Sequence, residues 1–151
     1  MSEPEQPNLT WHRQLAADTF NGVREILAQT DRTDYDVIRM IHLAHASVYH
    51  WSYVGDAINM ARGEWQVSRV YSVAGMAESA FYHAKISLAI CQGSDISGLD
   101  LGFAYEALAR ALTLGNRIEE AQNYIDKARD TAQEIPTNED RDYFLSKLNT
   151  I

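Results

Sequence analysis

The sequence is short of cysteine and proline and has no long apolar run. It holds a single cysteine, Cys91, and three prolines. One cysteine excludes an internal disulfide framework and a cysteine-rich zinc site, and is typical of a reducing compartment. No stretch approaches the roughly 20 apolar residues of a membrane span, and the acidic, proline-broken start lacks the basic and apolar regions of a signal peptide. We therefore expect a cytoplasmic protein with no membrane partner, and a disordered tail over residues 1–9.

Basic residues are also scarce. Thirteen lysines and arginines face 21 aspartates and glutamates, which gives a formal net charge of -8. Proteins that bind nucleic acid use basic patches to neutralise phosphates, so this balance disfavours a nucleic-acid partner.

A length of 151 residues with 46% hydrophobic content is enough to bury one hydrophobic core but too short for two. We expect a single domain over residues 10–151.

Apolar residues recur with the helical period along the whole chain, and no strand-like alternation persists. The pattern predicts an all-α fold of about seven helices joined by short turns, so neighbouring helices should be antiparallel. Signals for helix starts stand at Thr33 with Asp36, at Asp56, and at Thr137 with Asp140. The predicted units are a helix pair over residues 10–54, repeats over 56–91 and 99–136, and a capping helix over 138–149.

A pattern of aromatic, small and apolar residues occurs in two of these units. Its clearer copy consists of Tyr105, Leu108, Ala109, Leu112, Ala121, Ile125, Ala128 and Pro136. These residues resemble the tetratricopeptide repeat (TPR) in type and spacing. A copy offset by 41 residues consists of Val67, Ser68, Tyr71, Ala80, Ala84 and Ser87. The TPR-like resemblance implies a right-handed superhelical stack of helix pairs with a concave groove.

The resemblance is uneven along the chain. Glu64 stands where the earlier copy should have its aromatic residue, and Gly75 and Gly115 are out of phase by one, so we expect the turns of the two copies to differ. Residues 10–54 lack the pattern. The segments His45–Trp51 and Arg62–Tyr71 are also similar to a group of small bacterial proteins of unassigned function, a resemblance that implies no activity.

Four residues form the strongest candidate site. Arg62, Trp65 and Arg69 recur at helical spacing and share one helix face, and Arg110 is equivalent to Arg69 in the second copy. The repeat resemblance places them in the concave groove. Guanidinium groups suit carboxylates, and tryptophan offers a flat apolar platform. We predict a protein-interaction module whose groove binds an acidic peptide or a C-terminal carboxylate of an unidentified partner.

Two alternatives keep this fold without a peptide groove. Arg62 and Arg69 can instead pair with nearby carboxylates, with Trp65 in the core; the candidates are Glu64, Glu78 and Glu106. The chain can also be a structural homodimer whose groove is filled by its own partner, and a surplus of surface aromatics would mark such an interface. Its last helix would then cover the end of the stack either within one chain or across the dimer, through Phe144, Leu145, Leu148 and Ile151.

A pair of histidines offers a site of another class. His42 and His45 lie one helical turn apart, near Tyr49, and helical bundles build metal sites from such pairs. No third ligand is evident, and the sequence lacks the Glu-x-x-His and His-Glu-x-x-His motifs. A small metal- or ligand-binding protein, including an enzyme, is therefore the alternative. Cys91 near a helix C-terminus is a poor nucleophile, and no catalytic motif is present, so we expect a non-enzymatic protein without a cofactor.

Overall fold

The computed structural model describes residues 9–151, and this part of the chain is all α-helical, as predicted. Its seven helices are α1 (Leu9–Leu27), α2 (Asp34–Val54), α3 (Ala57–Val73), α4 (Ala77–Gly93), α5 (Leu99–Leu114), α6 (Ile118–Ala132) and α7 (Asn138–Leu148). Apart from Leu9, which begins α1, the predicted tail over residues 1–9 lies outside the described residues. Among these seven helices, none combines the length and apolarity that crossing a bilayer requires.

The predicted helix starts are confirmed. The Thr33 side chain accepts a hydrogen bond from the backbone N–H of Asp36, whose carboxylate accepts one from the Thr33 N–H. Asp56 opens α3 with the same reciprocal arrangement, and Thr137 caps α7 by accepting from the Asp140 N–H. Each cap satisfies a backbone donor that has no partner inside its helix.

The turns after α3 and α5 are alike, contrary to the prediction that they differ. Gly75 and Asn116, 41 residues apart, both adopt positive φ angles, of 77° and 62°. In each turn the next residue donates its N–H to the carbonyl five positions earlier, from Met76 to Tyr71 and from Arg117 to Leu112. Asparagine tolerates the left-handed conformation almost as glycine does. The second turn therefore uses Asn116, not Gly115, where the first uses Gly75.

Small buried residues let paired helices approach closely. Ser47 of α2 donates to the backbone oxygen of Ala16 in α1, and Ser87 of α4 donates to that of Ala61 in α3, both at 2.8 Å. The first pair, which lacks the repeat pattern, thus shares this contact with the second. Residues predicted to pack between helices are buried in both copies, namely Val67, Ser68, Ala80, Ala84, Leu108, Ala109, Ala121 and Ala128.

The contacts between helices determine which of them lie side by side. Successive helices pack against one another, and α3 and α5 also contact each other directly, as do α5 and α7. The last helix packs within the same chain, where Phe144 and Leu148 are buried against α5 and α6. A Cβ atom on Gly102 would lie 3.0 Å from the Phe144 ring, so the close approach of α7 to α5 depends on this glycine.

Candidate functional site

A groove with a cavity volume of about 510 Å³ is formed by the odd-numbered helices and the turn after α1. We call it the basic groove. It is lined by Phe20, Arg24, Leu27, Ala28, Arg32, Ala61, Arg62, Trp65, Gln66, Arg69, Val73, Leu99, Asp100, Phe103, Glu106, Arg110, Tyr143 and Lys147. The structure therefore brings all four predicted site residues to one cavity, and places none of α2, α4 or α6 on its wall.

The charge of the basic groove opposes that of the whole protein. Six of the 13 lysines and arginines in the sequence line it, whereas the described acidic residues that line it are Asp100 and Glu106. The groove is thus a concentrated positive surface on a chain with a net charge of -8. A cleft lined by one sign of charge raises the local concentration of oppositely charged ligands. The arrangement suits an anion.

Arg62 is held at the edge of the groove by Asp100 in the first turn of α5. Its Nε and Nη2 atoms donate to the two carboxylate oxygens at 2.8 and 3.1 Å. This bidentate pair, together with the charge of Asp100, raises the pKa of the Arg62 guanidinium. The prediction that Arg62 pairs with Glu64, Glu78 or Glu106 is wrong, because its carboxylate partner is Asp100. Glu64 lies 2.7 Å from His83 Nδ1 instead.

Arg110 is committed to three partners at the α5–α7 junction. Its Nε donates to Glu106 Oε1 at 2.7 Å, and its Nη2 donates to the backbone oxygen of Lys147 and to Thr150 Oγ1. Glu106 is only 3% exposed. A buried carboxylate needs such a partner, so Arg110 both neutralises Glu106 and fastens the end of α7.

Arg69 is a partly buried groove arginine whose guanidinium has no carboxylate bonded to it in the described part of the chain. Within residues 9–151 it makes no hydrogen bond or ion pair, because Glu106 bonds to Arg110 instead. Burial lowers the pKa of Arg69, and repulsion from Arg110 lowers it further. Arg24, an exposed groove residue, likewise has no described partner. An anion placed here would relieve repulsion among like charges that the protein itself does not neutralise.

Aromatic rings form the apolar part of the groove. The Trp65 and Phe103 rings meet edge to face with centroids 5.5 Å apart, and Phe103 also contacts Tyr143 of α7. Trp65 is partly buried rather than a full core residue. Its indole Nε1 and the amide Oε1 of Gln66 are buried without a hydrogen-bond partner in the described part of the chain. Charged side chains, aromatic rings and two residues with an unpaired buried polar atom therefore line one cavity.

The histidines form a separate cluster. His45 Nε2 lies 2.7 Å from the Tyr71 hydroxyl, and His83 Nδ1 lies 2.7 Å from a Glu64 carboxylate oxygen, with the two imidazole centroids 5.4 Å apart. His42 is exposed and lies outside this network. The His45 and His83 rings meet edge to face, each bonded to a different partner, and residues 9–151 contain no group of three side chains with metal-binding geometry.

Cys91 is fully buried, and burial raises the pKa of its thiol to about 11. The neighbouring charge of Asp100 acts in the same direction. The prediction that Cys91 is a poor nucleophile therefore rests on loss of hydration more than on its place in the helix.

Sequence reasoning missed much of the groove wall. Arg24, Arg32 and Tyr143 come from helices or turns without the repeat pattern, so nothing placed them opposite α3 and α5. Gln66 could have been noticed in the sequence, because it is a polar residue where the second copy has the buried alanine Ala107.

Comparison with known protein families, curated proteins and solved structures finds no match to this chain. The function is therefore argued from the groove.

Proposed function

We propose that this protein is a non-enzymatic interaction module that binds an acidic segment or the C-terminal carboxylate of a partner protein in the basic groove. The observation that carries the proposal is the gathering of six basic side chains around one cavity of an otherwise acidic molecule. Guanidinium forks are the side chains best shaped for carboxylates. We also propose that the helix pairs form a TPR-like stack. The first helix of each pair would then line the concave groove.

The size of the groove supports a peptide end rather than a folded surface. Cavities of about 300–1,000 Å³ enclose ligands of drug-like size, and this one measures about 510 Å³. It has room for the last residues of a chain, while the rest of the peptide lies outside. Trp65 and Phe103 supply an apolar wall for one side chain, and Arg69 supplies the charge.

Arg69→Ala gives the cleanest test, since Arg69 makes no hydrogen bond or ion pair within residues 9–151. We expect it to weaken binding of a fluorescein-labelled acidic peptide with a free C-terminus by about tenfold to a hundredfold, the loss expected for a hydrogen bond to a charged group. Fluorescence anisotropy measures the dissociation constant. Arg39→Ala removes the same charge from an exposed position of α2 outside the groove and serves as the control.

Two results would count against the proposal. One is a wild-type protein that binds no acidic peptide at low salt. The other is equal affinity of wild type, Arg69→Ala and Arg39→Ala, which would show that binding takes place away from the groove or by net charge alone.

A further inference from the structure

Trp65 and Gln66, which line the basic groove four and three positions before Arg69, each carry a buried polar atom without a hydrogen-bond partner in the described part of the chain. The indole Nε1 of Trp65 and the Oε1 of Gln66 are buried and have no hydrogen-bond partner within residues 9–151. Gln66 is fully buried, and its Nε2 donates to the backbone oxygen of Phe20 at 3.1 Å. Rotating the amide by half a turn would set two acceptors against each other, so Oε1 is the atom left unpaired.

The two atoms need opposite partners. An indole N–H can only donate a hydrogen bond, and an amide oxygen can only accept one. A sulfate or a simple carboxylate offers acceptors to Trp65 and Arg69 but no donor to Gln66. The end of a polypeptide offers both, because the N–H of its last residue lies beside the terminal carboxylate. Buried polar groups in proteins are nearly always paired, so the occupied groove should satisfy Gln66 as well.

We infer that the basic groove recognises the carboxyl terminus of a polypeptide ending in an apolar residue, and that Gln66 determines this specificity. The inference rests on the proposed function and names its ligand class. The terminal carboxylate pairs with Arg69 and accepts from the Trp65 indole N–H, and the N–H of the last residue donates to Gln66 Oε1. The last side chain lies against the Trp65 and Phe103 rings. Because Oε1 is covered in the free protein, groove side chains shift as the ligand enters.

The test replaces one atom of the ligand. A labelled acidic peptide ending in leucine is compared with its depsipeptide analogue, in which the N–H of the last residue becomes an ester oxygen, and with the C-terminal amide. Anisotropy titrations use wild type and Gln66→Met, which keeps the length of the side chain and removes the whole amide, both the free acceptor and the donor to Phe20. We expect the ester to bind wild type about tenfold more weakly, since it leaves a buried acceptor unpaired, and to bind Gln66→Met as well as the parent peptide does.

Each outcome decides a separate point. Equal affinity of peptide and ester for wild type overturns the role of Gln66, whether or not Gln66→Met folds. The same ester penalty in both proteins also overturns it, because the lost donor then acts elsewhere. Equal affinity of acid and amide excludes carboxyl-terminal recognition while leaving an acidic-peptide groove intact. Failure of all three ligands to bind wild type overturns the proposed function itself.

Discussion

Replacing Glu106 by glutamine should lower the stability of the protein and increase its affinity for anions. Glu106 is 3% exposed and accepts the Nε–H of Arg110 at 2.7 Å, while Arg69 lies close enough for its pKa to respond to both. Glutamine keeps the shape of the side chain and a hydrogen-bond acceptor but removes the charge. Arg110 and Arg69 would then share the groove without an opposing carboxylate.

The expected loss of stability follows from breaking a buried ion pair. Removing one partner of such a pair costs about 3–5 kcal/mol, and the retained acceptor places glutamine at about 3 kcal/mol. For a domain of this size, that corresponds to a fall of about 6–12 °C in Tm. The affinity for the acidic peptide should rise by about tenfold, since no carboxylate at position 106 then offsets the positive charges of Arg69 and Arg110.

Thermal unfolding followed by circular dichroism and anisotropy titration measure the two effects. The matched control is Glu120→Gln, which removes the carboxylate from a surface pair with Arg117 at 2.6 Å and should change neither quantity. An unchanged Tm in Glu106→Gln would contradict the burial of the pair. A fall in both stability and affinity would mean that Glu106 positions the groove instead of competing with its ligand.

Two further predictions concern titratable groups away from the groove. Cys91, with its thiol pKa raised to about 11 by burial, should not react with Ellman's reagent at pH 8 in the native protein, whereas urea-unfolded protein should release one equivalent; rapid native labelling would contradict the buried position. Burial lowers the pKa of His45 below 6.5, and His83 and His42 add repulsion that Glu64 partly offsets. The unfolded state therefore binds more protons just below pH 6.5, so the urea midpoint should fall as the pH drops from 7.5 to 5.5. His45→Gln should reduce that fall, and an identical pH dependence would exclude His45 as its source.

The helices and their starts could be predicted because the signals are local. A side chain such as Thr33 or Asp56 caps a backbone N–H only three residues away, so the sequence contains both partners of the interaction. The same holds for the shared face of Arg62, Trp65 and Arg69, which depends only on helical period.

Contacts between helices were harder to predict. Asp100 lies 38 residues from Arg62, and nothing in the local pattern ranks it above the nearer Glu64. The groove wall formed by Arg24 and Tyr143 depends on how α1 and α7 pack, which no spacing within either helix encodes.

The turn between α5 and α6 shows how a rule applied to one residue type can mislead. Glycine is the commonest residue with positive φ, so the sequence pairs Gly115 with Gly75 and predicts turns that are out of phase by one. The left-handed residue is Asn116, and with it the two turns share one register at a spacing of 41 residues. The hydrogen-bond pattern of a turn is thus a better guide to equivalence than the position of its glycine.

Because α6 does not contribute to the groove wall, it offers a position for attaching a probe to the protein. Asn123 is exposed on α6, and no α6 residue lines the groove. Since the sequence holds one cysteine and it is buried, a cysteine at position 123 would be the single thiol open to maleimide chemistry. A dye or biotin attached there would let the protein be tethered to a sensor surface through a residue that does not line the basic groove.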